Sequence, residues 1–428
     1  MMVLPDGGRP GSAEDLSVLD VAAPSNDGLS SLDSSALIES ASIAPTGGPA
    51  LPLSATLPST GREKRSWFGW LWAAGHWCFG CGSLVLLLAL LATIPIVQLL
   101  SLGYLLEVSG RVARTGRIRD GFVGVGKAGV AGGILFACWL LVWPLRFAAT
   151  MWTSARLIDP TSPAATLWQG ILIALTAVAV LHGLGACFRG ARLRDFLIPR
   201  PILSLRLIFR RSAIGEARDG LWTFVTGLRL PYYFWLGARG FAGAFVWLAV
   251  PTSLLALASR LQSKPAFLIG LLGGLLLTFV LLHLPLLQAA FAAENRWGAM
   301  FEVRRNRRRF AQAPLAYAVA LLATLLLATP LFLLKIEIIP QEAAWLPSLL
   351  FVLSVFPARL LTGWALARAA RNPSSRHWFW RWSSWLAMVP VAGIYVVLVY
   401  LTQYLSWYGV WSLYEQHAFL VPVPFLGL

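Results

Sequence analysis

Long apolar runs, separated by short arginine-rich segments, recur along almost the whole chain, at about 84–106, 130–156, 165–188, 240–259, 267–292, 314–335, 347–368 and 385–406. About 20 such residues suffice to cross a hydrocarbon layer. Each run must be helical, because a lone strand would leave its backbone polar groups unpaired in lipid. The expected fold class is therefore all-α: a polytopic helical membrane bundle of about eight spanning helices. Prolines 95, 144, 251, 285, 330, 357 and 390 fall inside the runs and predict kinks, since each removes one backbone hydrogen bond.

Composition supports the same reading. Hydrophobic residues make up 57% of the chain and charged residues 13%, about half the usual share of a soluble domain. The 20 tryptophans suit the headgroup level, where an amphipathic ring finds both lipid and water. The net charge of +16 would suggest nucleic acid in a soluble protein. No basic soluble domain exists here to carry that function, so no nucleic-acid partner is expected.

The arginines assign the ends of the helices. Segments 107–130, 189–239, 296–312 and 368–383 contain 25 of the 35 Lys and Arg residues. The alternate loops are poor in them. The positive-inside rule places the rich segments in the cytoplasm, predicting a multi-pass protein of the plasma (inner) membrane with the C-terminus, including the short 414–428 tail, outside.

Residues 1–60 are rich in Ser, Pro and Gly and carry seven acidic residues with one Arg. That composition predicts a disordered tail, with apolar patches at 16–21 and 32–43 that offer a possible protein partner a docking segment. Before Gly61 there is no apolar signal-peptide core, so the first spanning helix is expected to direct insertion. Segment 61–82 holds four Trp and is expected to be interfacial or re-entrant. The helical domain proper is expected over 83–413.

The basic segments also resemble one another. Arg119-Asp120-Gly121-Phe122 recurs as Arg218-Asp219-Gly220-Leu221, and Ile94-Pro95-Ile96-Val97-Gln98 resembles Leu284-Pro285-Leu286-Leu287-Gln288. The expected unit is a descending helix, a basic amphipathic elbow on the cytoplasmic surface, and a returning helix, repeated in parallel about four times. Within Ile202–Arg211, Arg206, Arg210 and Arg211 lie among Leu, Ile and Phe, a composition suited to anionic lipid headgroups.

Gly103-Tyr104-Leu105-Leu106-Glu107-Val108, followed by Arg111-Val112-Ala113-Arg114-Thr115-Gly116, resembles the opening of the prokaryotic membrane family catalogued as domain of unknown function 4013. The likeness covers residues 84–145 and departs at the elbow, where Arg117-Ile118-Arg119-Asp120-Gly121-Phe122 replaces an acidic, Trp-containing segment. It implies a kinked helix, an elbow and further helix pairs. It implies no activity.

Candidate chemistry is sparse. His76-X-Cys78-X-X-Cys81 could contribute three zinc ligands, but a closed site needs a fourth and no second Cys/His pair is present. Small-residue packing is the competing reading, and neither a metal nor any other cofactor is expected. Arg146 and Arg359 lie inside spans, where an exposed charge costs about 2.5–3.5 kcal/mol. Together they could bind an anionic or amphipathic solute in a transporter, or they could snorkel or cap carbonyls freed by Pro144 and Pro357. Gln98, His182, His283 and Gln288 suit polar packing between helices. The cytoplasmic-end carboxylates Glu107, Asp120, Asp219 and Glu294 are the best enzyme candidates. Gly124-Val125-Gly126-Lys127 lacks the frame of a nucleotide loop, and no serine-nucleophile or zinc-protease motif is present. The expectation is a non-enzymatic, membrane-organising or transport-accessory module.

Overall fold

The structure is a computed structural model, and it describes residues 67–188, 211–261, 265–333, 345–404 and 409–415. The 1–60 tail, most of segment 189–239's basic half and the tail from 416 onward lie outside the described residues. Within them the fold is all-helical, and eight helices are long and apolar enough to cross a membrane. The protein is thus a multi-pass helical membrane protein.

The principal helices are α1 (Trp67–Thr93), α2 (Gln98–Thr115), α3 (Val125–Ile158), α4 (Pro163–Phe188), α5 (Arg211–Gly227), α6 (Leu230–Arg260), α7 (Pro265–Glu294), α8 (Val303–Gln312), α9 (Pro314–Leu333), α10 (Trp345–Ala370) and α11 (Trp378–Thr402). Most expected runs fall inside one helix each. The first does not. The expected span 84–106 is cut at Ile94–Val97, and the expected boundary near residue 82 lies within the uninterrupted α1. Pro95 lacks an N–H, and Ile96 has φ 68°, a left-handed conformation that a β-branched residue adopts only under constraint. The chain therefore reverses here. Ser101 Oγ, on α2, donates to Leu88 O on α1 at 2.8 Å, so the two helices form a hairpin.

α2 is the centre of the bundle. Every residue from Ser101 to Gly110 is buried, because α1, α6, α7 and α10 all pack on it. Its serines, glycines and single Glu make it too polar to face lipid, and the neighbouring helices shield it. Glycines set the approach. A Cβ built on Gly103 would lie 1.7 Å from Tyr233 O, and one on Gly237 would lie 1.9 Å from Leu99 O. Gly110 meets Ala292 of α7, and Gly363 of α10 meets Ser109. Small residues here bring backbones together as they do in other membrane helix pairs.

These contacts fix direction. Gly110 beside Ala292 and Ser109 beside Gly363 make α2, α7 and α10 run in the same sense, toward one end. That end gathers Arg114, Lys127, Arg296 and Arg371, and is hereafter the basic end. Trp77 of α1 packs at a tilt against Phe122 with ring centroids 5.2 Å apart, and Phe122 likewise against Phe356 at 5.2 Å, so α1 starts at the basic end too. α3 and α4 form a peripheral hairpin; α4 packs chiefly on α3.

Two of the sequence echoes are not structural equivalents. Arg119–Gly121 lies within a 3-10 turn (Ile118–Gly121) that Phe122 closes, whereas Arg218–Leu221 lies inside α5. Ile94–Val97 is a chain reversal, whereas Pro285 lies inside continuous α7. A real likeness occurs elsewhere. After α2, Gly116 is left-handed (φ 72°), Arg117 is extended, a 3-10 turn follows, and Phe122 adopts φ −81°, ψ 68°. After α7, Asn295 is left-handed (φ 50°), Arg296 is extended, the 3-10 turn Trp297–Phe301 follows, and Glu302 adopts φ −82°, ψ 59°. Glycine and asparagine are the residues that most readily end a helix in this way.

Candidate functional site

Polar chemistry concentrates at the basic end, in two networks. The first lies inside the bundle. Glu107 of α2 accepts from Arg114 Nη2 at 2.6 Å and from Tyr232 OH of α6 at 2.8 Å. Arg114 Nη1 also donates to Ala292 O at 3.0 Å and Ala293 O at 3.3 Å, the last carbonyls of α7. A guanidinium is well suited to helix-end carbonyls, whose partial charge is negative. The Glu107–Arg114 pair thus joins three helices, α2, α6 and α7. The Glu107 side chain is only 10% exposed, so its charge depends on those partners.

The second network builds the elbow after α7. Glu294 receives Arg296 (3.2 Å), Arg305 (2.7 Å) and Arg309 (2.9 Å). Glu302 receives Arg296 and Arg305. The hydrogen bonds from Arg305 and then Arg296 hold the Glu302 carboxyl below the ordinary carboxylate range. Arg305, in turn, is raised above its usual value, first by Glu302. Arg239 Nη2 caps Asn295 Oδ1 at 2.7 Å, and Arg371 Nη2 caps Gly116 O at 3.0 Å. Both left-handed helix ends are therefore pinned by an arginine from another element.

α8 divides its arginines between two faces. Asn306 is buried, and Arg305 and Arg309 turn toward the acidic pair. Arg304, Arg307 and Arg308 are exposed and make no ion pair among the described residues. Tryptophan surrounds this level. Trp67, Trp70, Trp72 and Trp77 at the start of α1, and Trp378, Trp380, Trp382 and Trp385 at the start of α11, are all exposed. On α5, Leu221 and Trp222 are exposed as well, beside the exposed pair Arg218–Asp219.

The other sequence candidates fall in scattered places. Arg206 and Arg210 lie outside the described residues, as does the side chain of Arg211, which opens α5. Arg359 is buried in α10, 3% exposed. Arg146 is exposed on peripheral α3 and does not line the cavity beside Arg359. The convergence expected of a two-arginine transporter site is thus not made. Gln98 and Gln288 are buried, and His182 is half-buried in α4. His283 stacks on Phe279 at 4.4 Å and pairs with the Phe279 carbonyl at 2.9 Å, a bond within its own helix and not the interhelical one expected.

His76, Cys78 and Cys81 do not assemble a metal site. Along continuous α1, residues two apart project about 200° apart, so His76 and Cys78 face away from each other. Among the described residues no group of three metal-ligating side chains occurs. Glu107, Asp219 and Glu294 likewise have separate partners, Arg114 and Tyr232 for the first, Arg218 for the second, and Arg296, Arg305 and Arg309 for the third, and they form no cluster with Asp120 that could hold a metal. Pairwise contacts across more than a hundred residues, such as Glu107–Tyr232, carry no signal in local sequence. The one available sign was a glutamate among small residues in an otherwise apolar run.

The described residues define the class: a polytopic membrane bundle with an enclosed central helix and basic elbows at one end. Compared with known proteins, the chain matches no family model, no curated protein and no solved structure.

Proposed function

We propose that the protein is a non-catalytic membrane-organising or transport-accessory module of the plasma (inner) membrane, whose basic elbows grip anionic headgroups on the cytoplasmic face. The division of α8 carries this reading. Two of its arginines are committed to Glu294 and Glu302, while Arg304, Arg307 and Arg308 are exposed and have no carboxylate partner among the described residues. The Trp-rich starts of α1 and α11 support a headgroup level beside them. The acidic 1–60 tail belongs to the same proposal as a docking segment for a protein partner. The likeness of Gly103–Gly116 to the domain of unknown function 4013 family is proposed as one of topology.

Each basic residue near an anionic surface contributes about 1 kcal/mol, so three should contribute roughly 3 kcal/mol to binding. In the purified full chain, phosphatidylglycerol added to neutral-detergent micelles should raise the unfolding temperature more than phosphatidylcholine does. The Arg304→Gln/Arg307→Gln/Arg308→Gln variant should lose most of that difference. Equal stabilisation by both lipids, or an unchanged preference in the variant, removes the proposal.

Orientation has its own test. In a chain with its four native cysteines replaced, a cysteine at Ser374, in the basic loop after α10, is expected to react only from the cytoplasmic side. One at Leu261, between α6 and α7, should react only from outside. Reversed labelling overturns the assignment.

A further inference from the structure

Arg359 lies about midway along α10 and, with Pro285 of α7, Thr324 of α9, and Ser354 and Thr362 of α10, lines a cavity of about 10 Å³. Among the described residues its side chain makes no hydrogen bond and no ion pair, and its Nη2 is fully buried without an acceptor. The obvious compensations are not used. The side chain is 3% exposed, so it does not snorkel to water. It does not bond the carbonyls that Pro285 and Pro357 deprive of their helical N–H. The hydroxyls of Thr324 and Thr362 donate to Ala320 O at 2.6 Å and Arg359 O at 3.0 Å, leaving their oxygens only as weak neutral partners.

An arginine does not shed its proton in a protein, so the charge stays, and an uncompensated buried charge is costly. A bound anion would supply the compensation. The cavity is small: about 10 Å³ is room for about one small particle, which favours a monatomic anion over a bulkier carboxylate or phosphate group. We infer that Arg359 holds a single monatomic anion of the halide class within the bundle, as a structural counter-ion linking α7, α9 and α10. This site is separate from the headgroup elbows and does not rest on them.

The test compares thermal unfolding of the full chain in sodium chloride, sodium bromide and sodium gluconate at equal ionic strength. The wild type should unfold several degrees higher in either halide than in gluconate, with a saturable dependence on halide concentration. Arg359→Met, which removes the charge at similar volume, should lose the halide difference and be at least as stable as the wild type in gluconate. The Arg304→Gln/Arg307→Gln/Arg308→Gln variant should keep the difference. A wild type indifferent to halide, or a halide effect that survives in Arg359→Met, overturns the inference. Should Arg359→Met fail to fold, wild-type crystals grown in bromide decide it: an anomalous peak within hydrogen-bonding distance of the guanidinium supports the site, and a featureless cavity overturns it.

Discussion

Replacing Gly103 with alanine should cost the protein most of its folded yield. The added Cβ would lie 1.7 Å from Tyr233 O and 2.9 Å from Gly237 N. Both are backbone atoms, so no side chain can swing aside, and α2 and α6 must separate. Overpacking of this kind costs about 1–3 kcal/mol when side chains can yield, and the upper end or beyond is expected here. Separation would also disturb the Glu107–Tyr232 bond, which spans the same helix pair. Gly82→Ala is the matched control, because its Cβ would meet nothing within 4 Å. Fluorescence-detected size-exclusion after a heating series reads both variants. A Gly103→Ala protein as stable as Gly82→Ala would show that the α2–α6 contact is much looser than described.

Arg114→Met should destabilise more than Glu107→Gln, although the two residues form one ion pair. Without Arg114, a carboxylate that is 10% exposed retains only the Tyr232 hydroxyl, and the Ala292 and Ala293 carbonyls lose their donor. Breaking a buried pair from one side costs about 3–5 kcal/mol. Arg114 is 42% exposed, so solvent screens the pair and about half that cost is expected. Glu107→Gln leaves Arg114 its two carbonyls and some water, and should cost about 1 kcal/mol. The double variant should fall short of the sum, since the second change removes a partner already lost. Denaturation in a mild detergent, run as a double-mutant cycle, measures this. Additive effects would show that the two side chains do not act together.

The architecture was legible where lipid is the solvent. Runs at 165–188, 267–292, 314–335 and 347–368 correspond to α4, α7, α9 and α10 within a few residues, because hydropathy reports directly on what must face hydrocarbon. It fails for α2, whose stretch from Ser101 to Gly110 faces only protein. There the apolar run 84–106 passes straight through the reversal at Ile94–Val97 and joins the first half of α2 to the end of α1, while Glu107, Ser109 and Gly110 fall in the basic segment 107–130, although they are buried in the same helix. The site was less legible for a similar reason. Charge counting located the basic end, but it could not divide Arg305 and Arg309, which close on Glu294, from Arg304, Arg307 and Arg308, which do not. Arg146 and Arg359 looked alike in sequence, and only packing separates an outward guanidinium from one enclosed by three helices.

The enclosure of α2 also imposes an order on biogenesis. Its walls are supplied by α6, α7 and α10, which begin at Leu230, Pro265 and Trp345, long after Thr115 has left the ribosome. Until they arrive, the backbone can satisfy itself as a helix, but Glu107 has neither Tyr232 nor the ends of α7 to shelter it. The nascent hairpin of α1 and α2 therefore cannot reach its final enclosure until the C-terminal half of the chain has been made.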